Sequence, residues 1–365
     1  MKNLDNRIGK SLRDAKFVLV AIIILLVSTG LEKGGGLVQA ASPDISAVCK
    51  TDWMYRGMIG LATTYVPHHI SDKDTMANAF QVETVASQAK EAGASWFLLT
   101  LHHQNWIMLA PNATLDRLLG NKNYTAKRDV PLELQRQLEN KGIKMMLYVN
   151  LRFDPRSAVS DEVRQAMGGW PPNDKLVHNI AAVYREFSLR YGKSVSGWWI
   201  DGEQLRTEWG KTPQREKWFK EIADALRAGN PKALVTFNPG VMIERYSMVE
   251  DYTAGEKQDL NSFPADRWLD GDQWHVWTYL GEWWNSTGTR FSDQELGEYV
   301  SRVTSRGGAL TFSVGTSGIS KQGQFGKAER LNEGGYIDPE QISQLKRVRK
   351  YQRASSAPPP INCPN

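Results

Sequence analysis

The sequence predicts an irregular (β/α)8 barrel of the TIM type, a single α/β domain, from three observations. Short apolar runs, rich in β-branched and aromatic residues, alternate with longer amphipathic segments along most of the chain. Eight such runs occur, and strands that are apolar throughout belong to parallel sheets covered on both faces. Polar residues directly follow several runs, as expected where barrel strands deliver side chains to one rim. An open doubly wound sheet is the alternative, but no glycine-rich phosphate loop follows an early strand.

The order of the elements follows from these periodicities. Strands are predicted over 57–66, 95–102, 143–150, 196–201, 233–239, 249–254, 274–280 and 309–315. Helices are predicted over 82–93, 131–142, 175–192, 213–229, 292–308 and 338–353. Ser292 and Asp338 stand where helices should begin, and Gly93 and Gly142 where two should end. Only residues 240–248 separate the fifth and sixth strands, so the helix there should be short or absent.

The two ends of the chain differ from the predicted barrel. Basic residues precede the apolar run 17–30, and small residues at 38–40 suit a signal peptidase. Residues 1–40 are therefore predicted to be an export signal, with an uncleaved N-terminal anchor as the alternative and the only expected membrane contact. The barrel should occupy 41–355, and 356–365 should form a proline-rich tail. We expect a periplasmic, cell-surface or secreted protein.

Charge and cysteine content narrow the classes of partner. The net charge is +5 over 365 residues without a basic stripe, so a nucleic acid partner is not expected. Cys49 and Cys363 are the two cysteines of the sequence. In an oxidising compartment they could form a disulfide that ties the ends of a closed barrel together, and two free thiols are the alternative. Their spacing fits no metal site, and neither a metal nor a cofactor is expected.

The candidate catalytic residues lie at the rim of the predicted barrel, where the strands end. The stretch SVSGWWIDGEQLR (194–206) ends an apolar strand abruptly on Asp201. Other strands end on, or lead to, His102, His103, Asn150, Asn238, Glu256 and Glu282. Two carboxylates on one rim among tryptophans are typical of glycoside hydrolysis. One ionised carboxylate attacks the anomeric carbon, and a protonated one delivers a proton to the leaving oxygen.

Seven fragments, in order along residues 57–350, carry a family resemblance. They are AKEAGASWFLLTLHHQNW (89–106), ENKGIKMMLYVNL (139–151), GWWIDG (197–202), EDYTAGE (250–256), TYLGEWW (278–284), SRGGALTFSVG (305–315) and GYIDPEQ (335–341). As an ordered set they resemble the catalytic barrel of the α-L-fucosidases of glycoside hydrolase family 29. The resemblance implies a retaining hydrolase acting on a terminal α-L-fucoside, or on a related deoxy or pentose sugar, of an oligosaccharide or polysaccharide.

The resemblance also implies roles for individual residues. Asp201 corresponds to the nucleophile and Glu256 to the general acid/base, with Glu203, Glu250, Asp251 and Glu282 as alternative acids. The expected sugar-binding residues are His102, His103, Tyr148, Trp199, Glu203, Asn238, Glu282 and Trp283. Adjacent residues of a strand point to opposite faces, so only one histidine of the pair should face the sugar. For the same reason Trp199 should face the pocket and Trp198 should pack outward.

Differences from the family keep alternatives open. The first strand reads GMIGLATTYVP (57–67), without the family's sugar-binding histidine, and HHQNW (102–106) stands where the family has HHDGF. A barrel without the C-terminal β-sandwich of fucosidases is expected. One alternative is an endo-acting hydrolase of fucan, including sulfated fucan, on the same barrel. The other is a non-catalytic glycan-binding protein on a decayed glycosidase scaffold.

Overall fold

A curled sheet of parallel strands covered by helices forms the centre of the molecule. The computed structural model describes residues 49–202, 209, 213–316, 334–353 and 363. The strands are β1 Ile59–Thr63, β2 Trp96–Thr100, β3 Lys144–Asn150, β4 Val195–Asp201, β5 Leu234–Phe237, β6 Trp268–Leu269, β7 Asp272–Gln273, β8 His275–Tyr279 and β9 Ala309–Ser313. Seven of them form one sheet in the order β5-β4-β3-β2-β1-β9-β8, with parallel neighbours throughout. β6 and β7 form a separate antiparallel pair, which the sequence did not predict.

The sixth barrel position is filled by an irregular segment, 250–257, between β5 and β8. On one side, Asp251 N donates to Val235 O of β5 over 3.0 Å. On the other side, Trp277 N of β8 donates to Gly255 O over 2.9 Å. The segment therefore joins the two edge strands of the sheet. The predicted irregular barrel is confirmed, whereas the prediction of a regular sixth strand is wrong.

Two carboxylates account for the missing strand. Asp251 Oδ2 accepts a hydrogen bond from Val235 N over 2.8 Å, and Glu250 Oε1 accepts one from Phe237 N over 2.6 Å. Side-chain oxygens thus take N–H groups of β5 that the carbonyls of a neighbouring strand would otherwise accept. The backbone of the segment is left free to follow an irregular path.

Ten α-helices surround the sheet in the described part of the chain. They are α1 Asp52–Gly57, α2 Lys73–Ala79, α3 Val82–Ala92, α4 Ala113–Leu118, α5 Val130–Glu139, α6 Asp161–Met167, α7 Asp174–Tyr191, α8 Gln214–Leu226, α9 Asp293–Ser305 and α10 Pro339–Val348. The six predicted helices are confirmed, and the capping box of Ser292 with Glu295 opens α9. The other four, α1, α2, α4 and α6, are too short to show an apolar period. None of the described helices has the length and hydropathy to cross a bilayer.

The apolar core has two layers, which separate the faces of each strand. Trp198 belongs to the layer between the sheet and the helices, whereas Trp199 belongs to the layer inside the barrel, as predicted. The inner layer is tight enough to require a small residue on β1. A Cβ added to Gly60 would lie 1.9 Å from the indole nitrogen of Trp96. The strand alternation thus fixes which side chains can reach the barrel interior.

The ends of the described chain are covalently joined. Cys49 and Cys363 form a disulfide, with their Cα atoms 5.4 Å apart. Lys50, next to Cys49, donates to Asp251 over 2.9 Å, so this end of the described chain also contacts the irregular segment 250–257. The predicted disulfide is therefore present. Residues 1–40 and all of the tail 356–365 except Cys363 lie outside the described residues.

Candidate active site

A cavity of about 260 Å³ opens at the carboxyl ends of the strands. Its volume lies near the lower end of the range of small-ligand pockets. Six residues predicted for the site line it: His103, Tyr148, Trp199, Asp201, Glu256 and Trp283. The rim position matches the place where barrel enzymes carry their chemistry.

Asp201, the last residue of β4, is held by hydrogen bonds on both carboxylate oxygens. Oδ2 accepts from the Tyr148 hydroxyl and, over 3.1 Å, from Asn150 Nδ2. Oδ1 accepts from Asn238 Nδ2 over 2.9 Å and from Gly202 N over 2.8 Å. These four hydrogen bonds fix the orientation of the Asp201 carboxyl group toward the cavity.

The strand register explains this arrangement. In the pairing of β3 with β4, Asn150 lies beside Asp201 and Tyr148 beside Trp199. Tyr148 and Asn150 are two residues apart, so they share the inner face of β3. Burial, followed by the charge of Asp201, holds the pKa of Tyr148 well above its usual range. Tyr148 therefore remains a neutral hydroxyl donor toward the carboxylate.

Glu256 lies close to Asp201 across a shared amide. Asn238 Nδ2 donates to Glu256 Oε2 over 2.6 Å as well as to Asp201 Oδ1 over 2.9 Å. The two acceptor oxygens can be no further apart than these distances added together, about 5.5 Å. Carboxyl groups of retaining glycosidases lie roughly 5–5.5 Å apart, and those of inverting enzymes lie roughly 6.5–9.5 Å apart. The spacing fits the retaining arrangement.

A glycine sets the position of Glu256. Gly255 has φ +65°, and a Cβ at this position would lie 2.0 Å from His275 O of β8. Only glycine allows both this backbone conformation and this close approach. The segment 250–257 can therefore press against β8 and turn Glu256 toward the cavity.

Aromatic rings form one wall of the cavity. Tyr148 stacks on Trp199 with ring centroids 5.3 Å apart, and Trp199 meets Trp277 edge-on at 4.5 Å. Trp277 in turn contacts Trp284, at 5.2 Å. Edge-on and offset contacts of this kind fix ring orientations and present a rigid apolar surface.

His102 and His103, which follow the end of β2, have different surroundings. His103 lines the cavity and stacks on Tyr148, with ring centroids 5.9 Å apart. Burial lowers the pKa of His103 to about 4, so the ring is neutral near pH 7. His102 is fully buried, with Nε2 3.2 Å from the Tyr184 hydroxyl, and it does not line the cavity. One histidine faces the site and its neighbour supports the scaffold.

The remaining predicted residues fall in different places. Asn238 is fully buried beneath the two carboxylates, and Glu282 is exposed and outside the cavity lining. Glu203 lies outside the described residues. Of the alternative acids, Glu250 and Asp251 bind backbone N–H groups of β5 and do not line the cavity.

Several cavity residues escaped the sequence-based prediction. Trp277 follows the period-2 alternation of β8 and could have been found from it. His68 and Gln104 come from loops after β1 and β2, where no period exists to place them. Arg152 also lines the cavity, from the loop that follows β3. The first strand has no histidine, but His68, from the loop after it, places an imidazole in the cavity lining.

Clusters of His, Asp and Glu side chains can also bind metal ions. Within the described ranges, no group of three or more His, Cys, Asp or Glu side chains is arranged to hold a metal ion. The residues that line the cavity include two carboxylates, two neutral imidazoles, the guanidinium group of Arg152, the amides of Gln104 and Gln258, and aromatic rings. This set suits acid/base and nucleophilic chemistry.

A parallel barrel with two facing carboxylates and an aromatic wall at its carboxyl rim is the arrangement of a glycoside hydrolase. The family model described as alpha-L-fucosidase matches residues 50–336. The chain belongs to this family and is a glycoside hydrolase. The resemblance inferred from the sequence fragments is confirmed.

Solved structures share the fold at low sequence identity. An endo-fucoidan hydrolase of glycoside hydrolase family 107 has 16% identity and a TM-score of 0.64, over 83% of this chain and 53% of that one. A second such hydrolase has 15% identity and a TM-score of 0.62, over 85% and 95% of the two chains. An α-L-fucosidase of family 29 from Bacteroides thetaiotaomicron has 14% identity and a TM-score of 0.56, over 83% and 73%.

These likenesses concern the fold alone. The chain spans about half the length of the first endo-fucoidan hydrolase. No curated protein sequence matches this one.

Proposed function

We propose that this chain hydrolyses α-L-fucosides with retention of configuration, with Asp201 as nucleophile and Glu256 as general acid/base. The observation that carries the proposal is the pair of carboxylates at the cavity, which share the Asn238 amide and lie within about 5.5 Å. That spacing leaves room for direct attack by Asp201 rather than for a water between the carboxylate and the sugar. A covalent intermediate has been trapped with 2-fluoro-fucosyl fluoride in a family 29 fucosidase of the same fold.

The first step forms a glycosyl-enzyme. An oxygen of Asp201 forms a bond to the anomeric carbon as the bond to the leaving oxygen breaks. The electron pair of the broken bond stays on the leaving oxygen, which takes the proton of Glu256. Asn150, Tyr148 and Asn238 hold Asp201 in place, so little reorganisation accompanies the attack.

The second step releases the sugar. Glu256, now ionised, takes a proton from water, and the water oxygen forms a bond to the anomeric carbon. The bond between that carbon and Asp201 breaks, and its electron pair returns to the carboxylate. Two displacements restore the original configuration, and both carboxyl groups regain their starting protonation states.

The cavity lining supports a deoxy sugar as the glycone. Fucose carries a methyl group in place of a hydroxymethyl group, and the wall of Trp199, Trp277 and Trp284 offers apolar surface for it. His103 and His68 add neutral imidazoles that can bind sugar hydroxyls. Burial, followed by the neighbouring His69, lowers the pKa of His68, which therefore also stays neutral near pH 7.

A panel of aryl glycosides led by α-L-fucoside tests the proposal. Asp201→Ala should abolish turnover, and Glu256→Gln should slow substrates with poor leaving groups most. Glu282→Gln tests the exposed alternative acid. If Glu282→Gln rather than Glu256→Gln produced the loss, the acid role would move to Glu282. Undiminished turnover by Asp201→Ala would reject the proposal.

Endo action on a fucan chain is a second candidate. Val241 lines the cavity and is also 45% exposed, so the cavity wall continues onto open surface where further sugar units could lie. Fucan oligosaccharides separate the two modes. Release of fucose alone indicates exo action, and release of longer fragments indicates endo action.

A purely glycan-binding protein is the remaining alternative. The presence of both carboxylates at catalytic spacing argues against it. Calorimetric titration with fuco-oligosaccharides beside the hydrolysis assay distinguishes the two, because binding without turnover would favour the non-catalytic protein.

We also propose that residues 1–40 direct export, that 41–355 form the catalytic barrel and that 356–365 form a tail. The disulfide between Cys49 and Cys363 supports this location, since such bonds persist in oxidising compartments. Expression with the native leader, followed by fractionation and N-terminal sequencing, tests it. A cytosolic chain that retains Met1 would contradict the proposal.

A further inference from the structure

The buried amide of Asn238 lies between the two carboxylates and contacts both. It is fully buried, so water does not compete for its hydrogen bonds. Its Nδ2 donates one hydrogen to Asp201 Oδ1 over 2.9 Å and the other to Glu256 Oε2 over 2.6 Å. An amide nitrogen carries two hydrogens, and both are used here.

The orientation of this amide is fixed by its surroundings. Asn238 Oδ1 accepts a hydrogen bond from Gly240 N over 3.1 Å, so the oxygen faces the backbone and the nitrogen faces the carboxylates. The reverse orientation would set the amide oxygen against two carboxylate oxygens. The backbone of Asn238 is itself held, because its N–H donates to Ile200 O over 2.7 Å.

Resting on the proposed roles of Asp201 and Glu256, we propose that Asn238 is a positioning residue that decides which oxygen of Glu256 carries the catalytic proton. Because Oε2 already accepts the amide hydrogen, the acidic proton resides on Oε1. Oε1 is then the atom that gives its proton to the leaving oxygen in the first step and takes a proton from water in the second. Asn238 exchanges no proton itself.

The chain offers a matched control in Asn150, on the opposite side of Asp201. Asn150 is also fully buried, and its Oδ1 accepts from a backbone N–H two residues ahead, that of Arg152, over 2.8 Å. Its Nδ2 donates to Asp201 Oδ2 and to the Tyr148 hydroxyl. Both asparagines thus support the nucleophile, but of the two only Asn238 has a hydrogen bond to Glu256 among those described.

Leaving-group dependence separates the two roles. Asn238→Leu and Asn150→Leu are compared on phenyl and 2,4-dinitrophenyl α-L-fucosides, since dinitrophenolate departs without a proton. Asn238→Leu removes support from both carboxyl groups, so it should lower kcat/KM on both substrates, but about 10- to 100-fold more on the phenyl substrate than on the dinitrophenyl substrate. Asn150→Leu should lower both by the same factor. Equal losses on both substrates for Asn238→Leu would overturn the inference.

The pH profile gives an independent readout. The alkaline limb of kcat/KM reports the ionisation of the acid in the free enzyme. A hydrogen bond to a carboxylate favours its ionised form, so removing the Asn238 donor should move the alkaline limb to higher pH. Asn150→Leu should leave that limb in place. An alkaline limb unchanged in Asn238→Leu would count against the inference.

Further variants keep the test decisive. If circular dichroism shows that Asn238→Leu does not fold, Asn238→Ser is used instead. A serine hydroxyl has one hydrogen, so it cannot donate to both carboxylates at once as the amide does. The same direction of leaving-group dependence and of pH shift is expected. Asp201→Ala tests the proposed function independently of the role of Asn238. Wild-type activity lost in Asp201→Ala, with no leaving-group dependence in Asn238 variants, rejects only the role of Asn238.

Discussion

Replacing Gly255 by alanine should damage catalysis far more than its size suggests. The added Cβ would lie 2.0 Å from His275 O, and contacts below 3.0 Å are essentially never seen for real Cβ atoms. The segment 250–257 must therefore withdraw from β8 by about 1 Å. A misplacement of about 1 Å can cost roughly 100-fold in rate, and Glu256 is the next residue in the chain.

Gly120 provides the matched control. It has φ +60°, close to the +65° of Gly255, but a Cβ there would meet nothing within 4 Å. Gly120→Ala should cost about 1–2 kcal/mol of unfolding free energy from its left-handed conformation and leave kcat/KM unchanged. Gly255→Ala should carry that cost plus about 1–3 kcal/mol from overlap.

Urea unfolding and hydrolysis of an aryl α-L-fucoside measure the two effects separately. The expected result is a roughly 100-fold lower kcat/KM for Gly255→Ala at a temperature where the variant is still folded. Equal behaviour of the two alanine variants in both assays would refute the reasoning that close packing on β8 positions Glu256.

Three further outcomes are expected. Cys49→Ser should lower the unfolding free energy by up to about 5 kcal/mol, because the disulfide joins two residues that are 314 positions apart in the sequence. An unchanged urea denaturation midpoint would contradict this. Burial lowers the pKa of His275 to about 4, so the unfolded chain binds a proton at a higher pH than the folded chain does. The wild type should therefore lose unfolding free energy relative to His275→Gln as pH falls from about 6.5 toward 4, by at most about 1.4 kcal/mol per pH unit. Urea midpoints of the two proteins that change in parallel across that range would refute this prediction. Trp284→Ala should raise KM about tenfold with little change in Tm, because the half-buried ring lines the cavity and packs on Trp277. An unaltered KM would show that Trp284 does not contact the sugar.

The parts of the site that could be predicted lie on regular strands. Period-2 alternation in GWWID places Trp199 and Asp201 on one face and Trp198 on the other, and the structure agrees. Tyr148 follows from the same alternation on β3. The barrel itself followed from the succession of apolar strands and helices, since that pattern leaves few alternatives.

The parts that could not be predicted depend on tertiary contacts. The segment 250–257 resembles a strand in sequence, but Glu250 and Asp251 bind the edge of β5 with their side chains and prevent one. The shared amide of Asn238 links residues far apart in the chain, and no local pattern encodes it. His68 reaches the cavity from a loop, where neither alternation nor helical period applies.

Covalent labelling tests the central claim that the carboxylate at the end of β4 attacks the sugar. The protein is incubated with 2-fluoro-fucosyl fluoride, a reagent that forms a slowly hydrolysed glycosyl-enzyme, and the digest is mapped by mass spectrometry. We expect one 2-fluoro-fucosyl group per chain, attached to Asp201 and absent from Asp201→Ala. Labelling of another carboxylate, or hydrolysis of α-L-fucoside with inversion of configuration, would contradict it.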